Sequence, residues 1–149
     1  EYQAQNMGKS KTLERFMSYS IENYPAQQYG LILADHGGGP NYGVCFDARN
    51  NNDSLSMWEL QTAFESVGFG GEDKMEFVIF EACLMASAET AHCMSNYAHY
   101  MIASENVSYT YGSDYGFVEC LNRCNSGADV GKEYVDYFYK KSIETKFYT

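Results

Sequence analysis

The chain of 149 residues is 45% hydrophobic and 16% aromatic, which excludes a disordered protein and suffices for one domain with its own core. Twenty acidic against ten basic residues give a net charge of −10, which disfavours nucleic acids and anionic membranes as partners. No apolar run approaches the roughly 20 residues of a membrane span, and no signal-peptide pattern opens the sequence. We therefore expect a single domain over residues 1–149, without a second domain.

Hydrophobic spacing predicts helices that alternate with short strands. Apolar side chains recur at helical intervals before Pro25, and a capping box of Ser56 and Glu59 marks the start of another helix. Continuous apolar runs are typical of strands buried on both faces. The predicted elements are, in chain order, helix 11–23, strand 29–34, an extended stretch at 43–47, a helix that Gly68 ends, strand 76–80, helix 86–97, strand 100–103 and helix 130–143. Loops are predicted at 35–40, 49–53, 68–74 and 107–117.

This alternation predicts an α/β fold, in which helices cover both faces of a parallel sheet. Ligands of such sheets bind beyond the carboxyl ends of the strands. Each predicted strand is followed there by polar or reactive residues, namely Asp35-His36, Glu81-Ala82-Cys83 and Ser104-Glu105. The functional site is therefore expected at this edge of the sheet.

A cysteine and a histidine follow the first two predicted strands. If these strands are neighbours, His36 and Cys83 lie at the same edge, where a thiolate nucleophile and an imidazole acid and base can work together. The main-chain N–H groups of Gly37 and Cys83 are candidates for binding the oxyanion that such a nucleophile creates. The alternative is a small buried cysteine and a histidine that only makes structural hydrogen bonds.

The odd number of cysteines, five, leaves at least one without a partner in the chain. Cys120 and Cys124 have a spacing that zinc ligands also show. A disulfide from Cys120, or plain burial, is an alternative interpretation of that pair. No calcium-loop pattern is present, so we assign no metal ligands.

The motifs at the strand ends resemble those of clostripain-type cysteine peptidases, which share a caspase-like fold with caspases, legumains, gingipains and separase. The resemblance lies in Asp35-His36-Gly37-Gly38-Gly39, in residues 81–87 and in residues 101–105, and it extends from about Gly8 to the end of the chain. It implies a caspase-like three-layer sandwich with a mostly parallel sheet. It also implies that His36 and Cys83 are a catalytic dyad, with Gly37 and Cys83 as the oxyanion hole.

The implied activity is that of an endopeptidase that hydrolyses peptide bonds through an acyl-enzyme thioester. Its partners would be peptide or protein substrates, and it would require no cofactor, although calcium has precedent in the family. Family members are commonly bacterial and exported, which implies a secreted or cell-envelope protein.

The resemblance further implies a pocket for the residue before the scissile bond, which is usually Arg or Lys. Its candidate residues are Glu81, Ser104, Glu105 and Asp114. Glu81 stands where the family usually has Asp, two residues before the nucleophile. The loop 109–115 differs from the family pattern Pro-Gly-Asp-Gly-Trp-Asp-Tyr, so the preference for a basic residue stays open.

Strands upstream of this chain normally flank the strand that leads to the histidine, so the sheet is expected to be incomplete here. A second chain or a missing N-terminal segment would complete it. Family members often cut themselves between the histidine and the cysteine, and Arg49 is the predicted site, with the loop around Lys74 as the alternative. The altered pocket loop and the incomplete sheet also fit an inactive module that binds peptides or proteins without cleaving them.

Overall fold

The computed structural model describes residues 5–108 and 115–144. The strands are β1 (Gly30–Ala34), β2 (Val44–Asp47), β3 (Asp53–Leu55), β4 (Met75–Glu81) and β5 (Ala98–Ile102). The α-helices are α1 (Ser10–Asn23), α2 (Gly39–Tyr42), α3 (Met57–Ser66), α4 (Ala88–Met94) and α5 (Gly127–Glu144). Two 3₁₀ segments span Ala48–Asn50 and Tyr115–Arg123. The three predicted strands and the predicted alternation of strands and helices are confirmed.

A parallel sheet of order β1-β4-β5 forms the centre of the described structure. β1 pairs with β4 from Gly30 opposite Phe77 to Ala34 opposite Glu81, so the two strands end at the same level. β5 pairs with the other side of β4. The prediction that the first two buried strands are neighbours is therefore confirmed.

Alternation along the strands divides the core between the two faces of the sheet. Leu31 and Leu33 of β1 are buried in the larger cluster, whereas Ile32 between them packs against the smaller one on the opposite face. Helices α1, α3 and α4 cover the larger cluster, in which Phe64 is fully buried. Ile79, Phe117 and Val130 form the centre of the smaller cluster beneath α5 and the second 3₁₀ segment. The fold is thus the predicted three-layer α/β sandwich.

Local sequence signals explain where two of these helices begin and end. Ser56 and Glu59 form the predicted capping box, because the Ser56 hydroxyl accepts the Glu59 N–H and the Glu59 carboxylate accepts the Ser56 N–H. α1 ends at Asn23, two residues before Pro25, as predicted.

The predicted helix 86–97 was too long at both ends. Ser87 caps α4 by accepting the N–H of Thr90, while the N–H of Ala86 donates to Ser104 rather than to a helical carbonyl. Met94 ends the helix, and the chain then enters β5. Tertiary contacts therefore override the helical spacing of the apolar side chains at the start of this segment.

The segment after β1 contains more structure than the sequence predicts, although the extended stretch predicted at 43–47 is confirmed as β2. Gly39 and Pro40 begin the short helix α2, with Pro40 at a position that needs no N–H donor. β2 and β3 form an antiparallel hairpin, and the first 3₁₀ segment lies in its turn. The predicted loop 107–117 is also corrected at its end, because residues from Tyr115 onward are in the second 3₁₀ segment.

The residues before α1 pack against this hairpin instead of extending away from it. The Met7 N–H donates to Asp47, and the Asn6 side chain donates to Asp53. Lys9 also forms an ion pair with Asp53, at 2.7 Å. These contacts fix the N-terminal segment beside the turn of the hairpin.

β1 is an edge strand within the described residues, because it pairs there only with β4. The expected open edge beside the histidine strand is therefore present. Its apolar side chains are nevertheless covered, since Leu31 and Leu33 are each only 6% exposed. The open feature is the row of backbone groups on the outer side of the strand.

None of the described helices is both long enough and apolar enough to cross a lipid bilayer.

Candidate active site

The register between β1 and β4 brings the two predicted catalytic residues to one edge of the sheet. His36 lies two residues beyond Ala34, and Cys83 lies two residues beyond Glu81, the residue paired with Ala34. His36 is exposed and Cys83 is half-buried. The sequence placed both residues correctly at the carboxyl ends of neighbouring strands.

Gly37 packs directly against the main chain of Cys83. A Cβ added at Gly37 would collide with the Cys83 carbonyl oxygen and would lie 2.9 Å from the Cβ of Ala82. Only glycine allows the backbone after His36 to approach the nucleophile segment this closely. The contact ties the histidine loop to the cysteine without requiring any side chain.

The histidine loop is also held from its other side by the hairpin. The Cys45 N–H donates to the His36 carbonyl at 3.1 Å, and the Gly38 N–H donates to the Gly43 carbonyl at 2.9 Å. Gly37 lies between these bonds and faces Val44 as an isolated bridge. The backbone around His36 is therefore fixed on both sides.

Two main-chain donors near the cysteine are uncommitted. Neither the Gly37 N–H nor the Cys83 N–H donates a hydrogen bond to any group in the described part of the chain. The next donor along, the Leu84 N–H, is bound to the Asn106 carbonyl at 3.2 Å. The two N–H groups named from the sequence are thus the ones that can bind an incoming anion or carbonyl oxygen.

The sulfur of Cys83 contacts the main chain of Ser108. The Ser108 N–H donates to Sγ at 3.3 Å, and the Ser108 carbonyl lies 3.7 Å from Sγ, within reach of the thiol proton. These contacts hold the Cys83 sulfur against the main chain of the residues that follow β5. Sequence inspection missed Ser108, since a main-chain contact across 25 residues leaves no pattern in the chain.

The residue after Cys83 has an unusual backbone conformation. Leu84 has φ +63° and is 44% exposed, although leucine rarely occupies the left-handed region. This conformation costs about 1–2 kcal/mol relative to right-handed geometry. Such a conformation persists only where the surrounding structure holds it. Here the hydrogen bond from Leu84 to Asn106 is part of that restraint.

Glu81 lies at the end of β4 on the face of the sheet that carries the smaller core cluster. It is only 5% exposed, and it lies two residues after Ile79, which belongs to that cluster. The Tyr115 hydroxyl hydrogen-bonds to Glu81. Burial, followed by the charge and the hydrogen bond of Glu81, raises the pKa of Tyr115. A buried carboxyl group therefore lies two residues before Cys83 and meets Tyr115 at the start of the second 3₁₀ segment.

The other predicted pocket residues have different surroundings. The Ser104 hydroxyl is engaged with the main chain of Asn106, while Glu105 is exposed. Asp114 lies outside the described residues, as does most of the loop that differs from the family pattern. The structure therefore assigns a buried environment to Glu81 and a surface position to Glu105.

The remaining cysteines do not join the site. All five cysteines are free thiols, so the expected alternative of a disulfide from Cys120 is not present. Cys124 donates to the Cys120 carbonyl, and Arg123 donates to the Cys120 sulfur at 2.8 Å. Across residues 5–108 and 115–144, no three His, Cys, Asp or Glu side chains are grouped as metal ligands would be. The pair therefore has no third ligand among the described residues.

Cys45 differs sharply from Cys83 in its environment. Burial, together with the negative charge of Asp35, raises the pKa of the Cys45 thiol to about 11. At neutral pH Cys45 is therefore a thiol and a poor nucleophile. It provides an internal comparison for the reactivity of Cys83.

Arg49, the predicted site of self-cleavage, is exposed in the first 3₁₀ segment. Asp47 accepts hydrogen bonds from Met7, Arg49 and Asn50, and these bonds, that of Met7 above all, lower the pKa of the Asp47 carboxyl. The loop predicted at 49–53 is therefore held at its start by hydrogen bonds to Asp47. It borders a cavity of about 550 Å³ that Asp35 and Cys45 also line.

The family model and the relatives that match this chain agree with one another. The model of the clostripain family matches residues 1–149. Clostripain of Hathewaya histolytica is 33% identical over 105 residues, which are 62% of this chain and 19% of clostripain. The chain thus spans about a fifth of the length of that relative.

Two solved structures have a similar fold. One is a secreted C11 cysteine protease from Bacteroides thetaiotaomicron in complex with an irreversible peptide inhibitor, with a TM-score of 0.82 and 25% identity. That match covers 99% of this chain and 41% of the protease. The other is an inactive zymogen of a C11 protease from Parabacteroides distasonis, with a TM-score of 0.59 and 28% identity, covering 77% of this chain and 32% of the zymogen.

The contact between Gly37 and Cys83 generates a prediction for stability. Gly37→Ala should lower the free energy of unfolding by about 1–3 kcal/mol, because the new methyl group meets rigid backbone. Urea denaturation followed by circular dichroism measures this loss.

Gly131→Ala is the matched control for this prediction. Its Cβ would meet only the side chain of Ile102, which can rotate, and alanine favours the surrounding helix by up to about 1 kcal/mol. Equal losses in the two variants would show that the backbone contact at Gly37 is not tight.

Proposed function

Because this chain belongs to the clostripain family of cysteine peptidases, we propose that it hydrolyses peptide bonds with Cys83 as nucleophile and His36 as acid and base. One observation carries the proposal: the loop after His36 packs against the backbone of Cys83 where two paired strands end together. This close backbone contact keeps both residues at one edge while leaving the histidine exposed to a substrate. The proposed enzyme is an endopeptidase.

The chemistry requires two successive transfers of the acyl group. The Cys83 thiolate attacks the scissile carbonyl carbon, and the tetrahedral intermediate collapses as the C–N bond breaks and the His36 imidazolium protonates the leaving amine. The neutral imidazole then takes a proton from water, whose oxygen attacks the thioester carbon. Collapse releases the carboxylic acid and restores the Cys83 sulfur and the protonated His36.

Both tetrahedral intermediates carry a negative oxygen that needs donors. The uncommitted N–H groups of Gly37 and Cys83 support an oxyanion hole at this position. Removing one such donor from a protease typically costs about 10²–10³ in kcat. The fixed backbone on both sides of Gly37 means that the donors need little reorganisation during the reaction.

We propose that the residue before the scissile bond is Arg or Lys and that its cation approaches Glu81. The support is a buried carboxylate at the end of β4, two residues before the nucleophile. A buried negative charge interacts more strongly with a cation than an exposed one does. Glu105 and Asp114, which the sequence also predicts for the pocket, stay proposed contributors to it.

The whole protein's setting is part of the proposal. An upstream segment or a second chain would pair with the open edge of β1, since the chain spans 41% or less of the relatives described above. The secreted protease among these relatives supports secretion. No residues are assigned to calcium, and none of the steps proposed above is routed through a metal.

Affinity labelling tests the dyad. A peptidyl acyloxymethyl ketone with Arg before the reactive group should modify Cys83 and leave Cys45 unmodified, because Cys45 is a thiol at neutral pH. His36→Ala should slow the modification by at least about 100-fold, since the imidazole no longer assists the sulfur. Peptide mapping by mass spectrometry identifies the modified cysteine.

His99→Ala is the matched control, because His99 is an exposed histidine on the edge strand β5. It should be labelled at the wild-type rate. A folded protein that labels Cys83 no faster than Cys45 would overturn the peptidase proposal and favour a module that binds peptides without cleaving them.

The role of Glu81 has its own test. Glu81→Gln keeps the shape of the side chain but removes its charge, so labelling by the Arg probe should slow by about tenfold or more. Labelling by a probe with an aromatic residue in the same position should change by less than about twofold.

Glu105→Gln is the control, because an exposed carboxylate interacts weakly through water. If Glu105→Gln slowed the Arg probe and Glu81→Gln did not, the cation would be bound at the rim instead. If the aromatic probe reacted faster with the wild type, a basic preference would be wrong.

Self-cleavage after Arg49 is the third test. Wild-type protein should slowly yield a fragment that begins at Asn50, whereas Cys83→Ala should stay intact. Asp47→Ala should accelerate the cleavage, because the carboxylate no longer holds the turn away from the extended form that a protease needs. N-terminal sequencing after gel electrophoresis identifies the fragment.

Lys74→Ala separates Arg49 from the alternative site. The Lys74 amine donates to the Ser95 carbonyl at 2.6 Å, so this loop too is anchored. Processing that persists in Arg49→Ala but disappears in Lys74→Ala would contradict the assignment to Arg49.

A further inference from the structure

We propose that Ser104 is a positioning residue, which acts on the nucleophile Cys83 through the backbone rather than by touching the substrate. This inference rests on the proposed function, because it concerns the same nucleophile. It differs from the role in the pocket that the sequence resemblance implies for Ser104. Two stretches of chain carry it: the nucleophile turn, residues 83–86, and the clamp segment, residues 104–108.

The clamp segment runs beside the nucleophile turn and contacts it at three points. The Ala86 N–H donates to the Ser104 carbonyl at 2.9 Å, and the Leu84 N–H donates to the Asn106 carbonyl at 3.2 Å. The Ser108 N–H donates to the Cys83 sulfur at 3.3 Å. Alternate residues of the clamp segment thus bind successive parts of the turn that carries the nucleophile.

The Ser104 hydroxyl determines the shape of the clamp segment. It accepts the Asn106 N–H at 3.2 Å and lies 3.0 Å from the Asn106 carbonyl, to which it donates. That same carbonyl accepts the Leu84 N–H. A single hydroxyl therefore fixes the peptide group that restrains the residue after Cys83.

The restraint on Leu84 has a chemical consequence. Leu84 is held at φ +63°, a conformation that leucine does not favour in isolation. Because the Leu84 N–H is bound to the Asn106 carbonyl, the Cys83 N–H is the main-chain donor at the nucleophile that stays available to an oxyanion. If the Asn106 carbonyl moved, Leu84 could relax and the Cys83 N–H would change direction.

The hydroxyl of Ser104 is already engaged with the backbone, and this engagement distinguishes positioning from substrate binding. A hydroxyl that binds substrate in the ground state and in the transition state equally changes KM, whereas one that aligns the nucleophile changes kcat. The Asn106 side chain also bonds to its own segment, since its Oδ1 accepts the Val107 N–H at 2.7 Å. The clamp segment is thus held by its own polar groups.

The test compares Ser104→Ala with Ser104→Thr in the full-length protein, using a fluorogenic peptide with Arg before the scissile bond. Ser104→Ala should lower kcat by about tenfold while KM changes by less than about twofold, because misalignment affects only the reacting geometry. Ser104→Thr retains the hydroxyl and should recover most of kcat.

Ser95→Ala is the control for the loss of a hydroxyl bound to a main-chain carbonyl. The Ser95 hydroxyl donates to the His92 carbonyl at 2.7 Å, at the end of α4. This variant should lose a similar amount of thermal stability but keep its kcat. If kcat fell equally in Ser104→Ala and Ser95→Ala, the fall would be explained by lost stability alone, and the positioning role of Ser104 would be overturned.

Amide hydrogen exchange at Leu84 provides a readout that does not require activity. Exchange should accelerate by about five- to tenfold in Ser104→Ala, since the carbonyl that accepts the Leu84 N–H is no longer fixed. If exchange at the Leu84 amide were unchanged in Ser104→Ala, or if KM rose while kcat stayed the same, the inference would be overturned. Ser104 would then be interpreted as a residue of the substrate pocket. If the wild type itself did not cleave peptides, the proposed function would fail, and exchange alone would decide whether the clamp exists.

Discussion

The parallel pairing of β1 with β4 is the constraint on which the site depends. Because Ala34 is opposite Glu81, the loops that begin after these residues leave the sheet at the same level, and Gly37 meets the backbone of Cys83. A shift of the register by one residue would move every side chain of β1 to the other face and separate the two loops. The buried pairs Leu31 with Val78 and Leu33 with Phe80 resist such a shift, so packing in the core stabilises the geometry of the edge.

The alternation of side chains between the two faces of the sheet separates Glu81 from the larger core. Helices α1, α3 and α4 bury the larger core on one face, where no charged group is needed. Glu81 follows Phe77 and Ile79 on the other face and meets Tyr115 at the start of the second 3₁₀ segment. The alternation of side chains along β4 therefore places the carboxylate on the face covered by α5, while His36 and Cys83 lie at the strand ends. In the proposed function, the cationic side chain of the substrate and the scissile bond occupy these two places.

The sequence predicted the features that depend on local side-chain patterns. It did not predict contacts between main-chain groups that lie far apart in the chain. Apolar runs located the three sheet strands, and the positions of His36 and Cys83 after them located the edge that holds the site. The extended stretch predicted at 43–47 is β2, but its partner β3 was missed because it is only three residues long and follows a polar turn that Asp47 organises. The contacts of Ser108 and Asn106 were missed because they are made by main-chain atoms, which are the same in every residue. The φ of Leu84 was unpredictable for the same reason, since leucine itself favours another conformation.

On the side of the open edge of β1, the hairpin holds the backbone at His36 in place. The Cys45 N–H donates to the His36 carbonyl, and the Gly38 N–H donates to the Gly43 carbonyl. The hairpin is itself anchored by the residues before α1 through Asp47 and Asp53. The clamp segment has the corresponding role on the cysteine side, where it binds the turn after Cys83. The backbone at His36 and the backbone at Cys83 are therefore each held by β4 and by one further segment, so neither depends on a strand added at the outer edge of β1 for its local geometry. An added strand would act on stability and on access to the edge, while the internal contacts already restrain the backbone of both proposed catalytic residues.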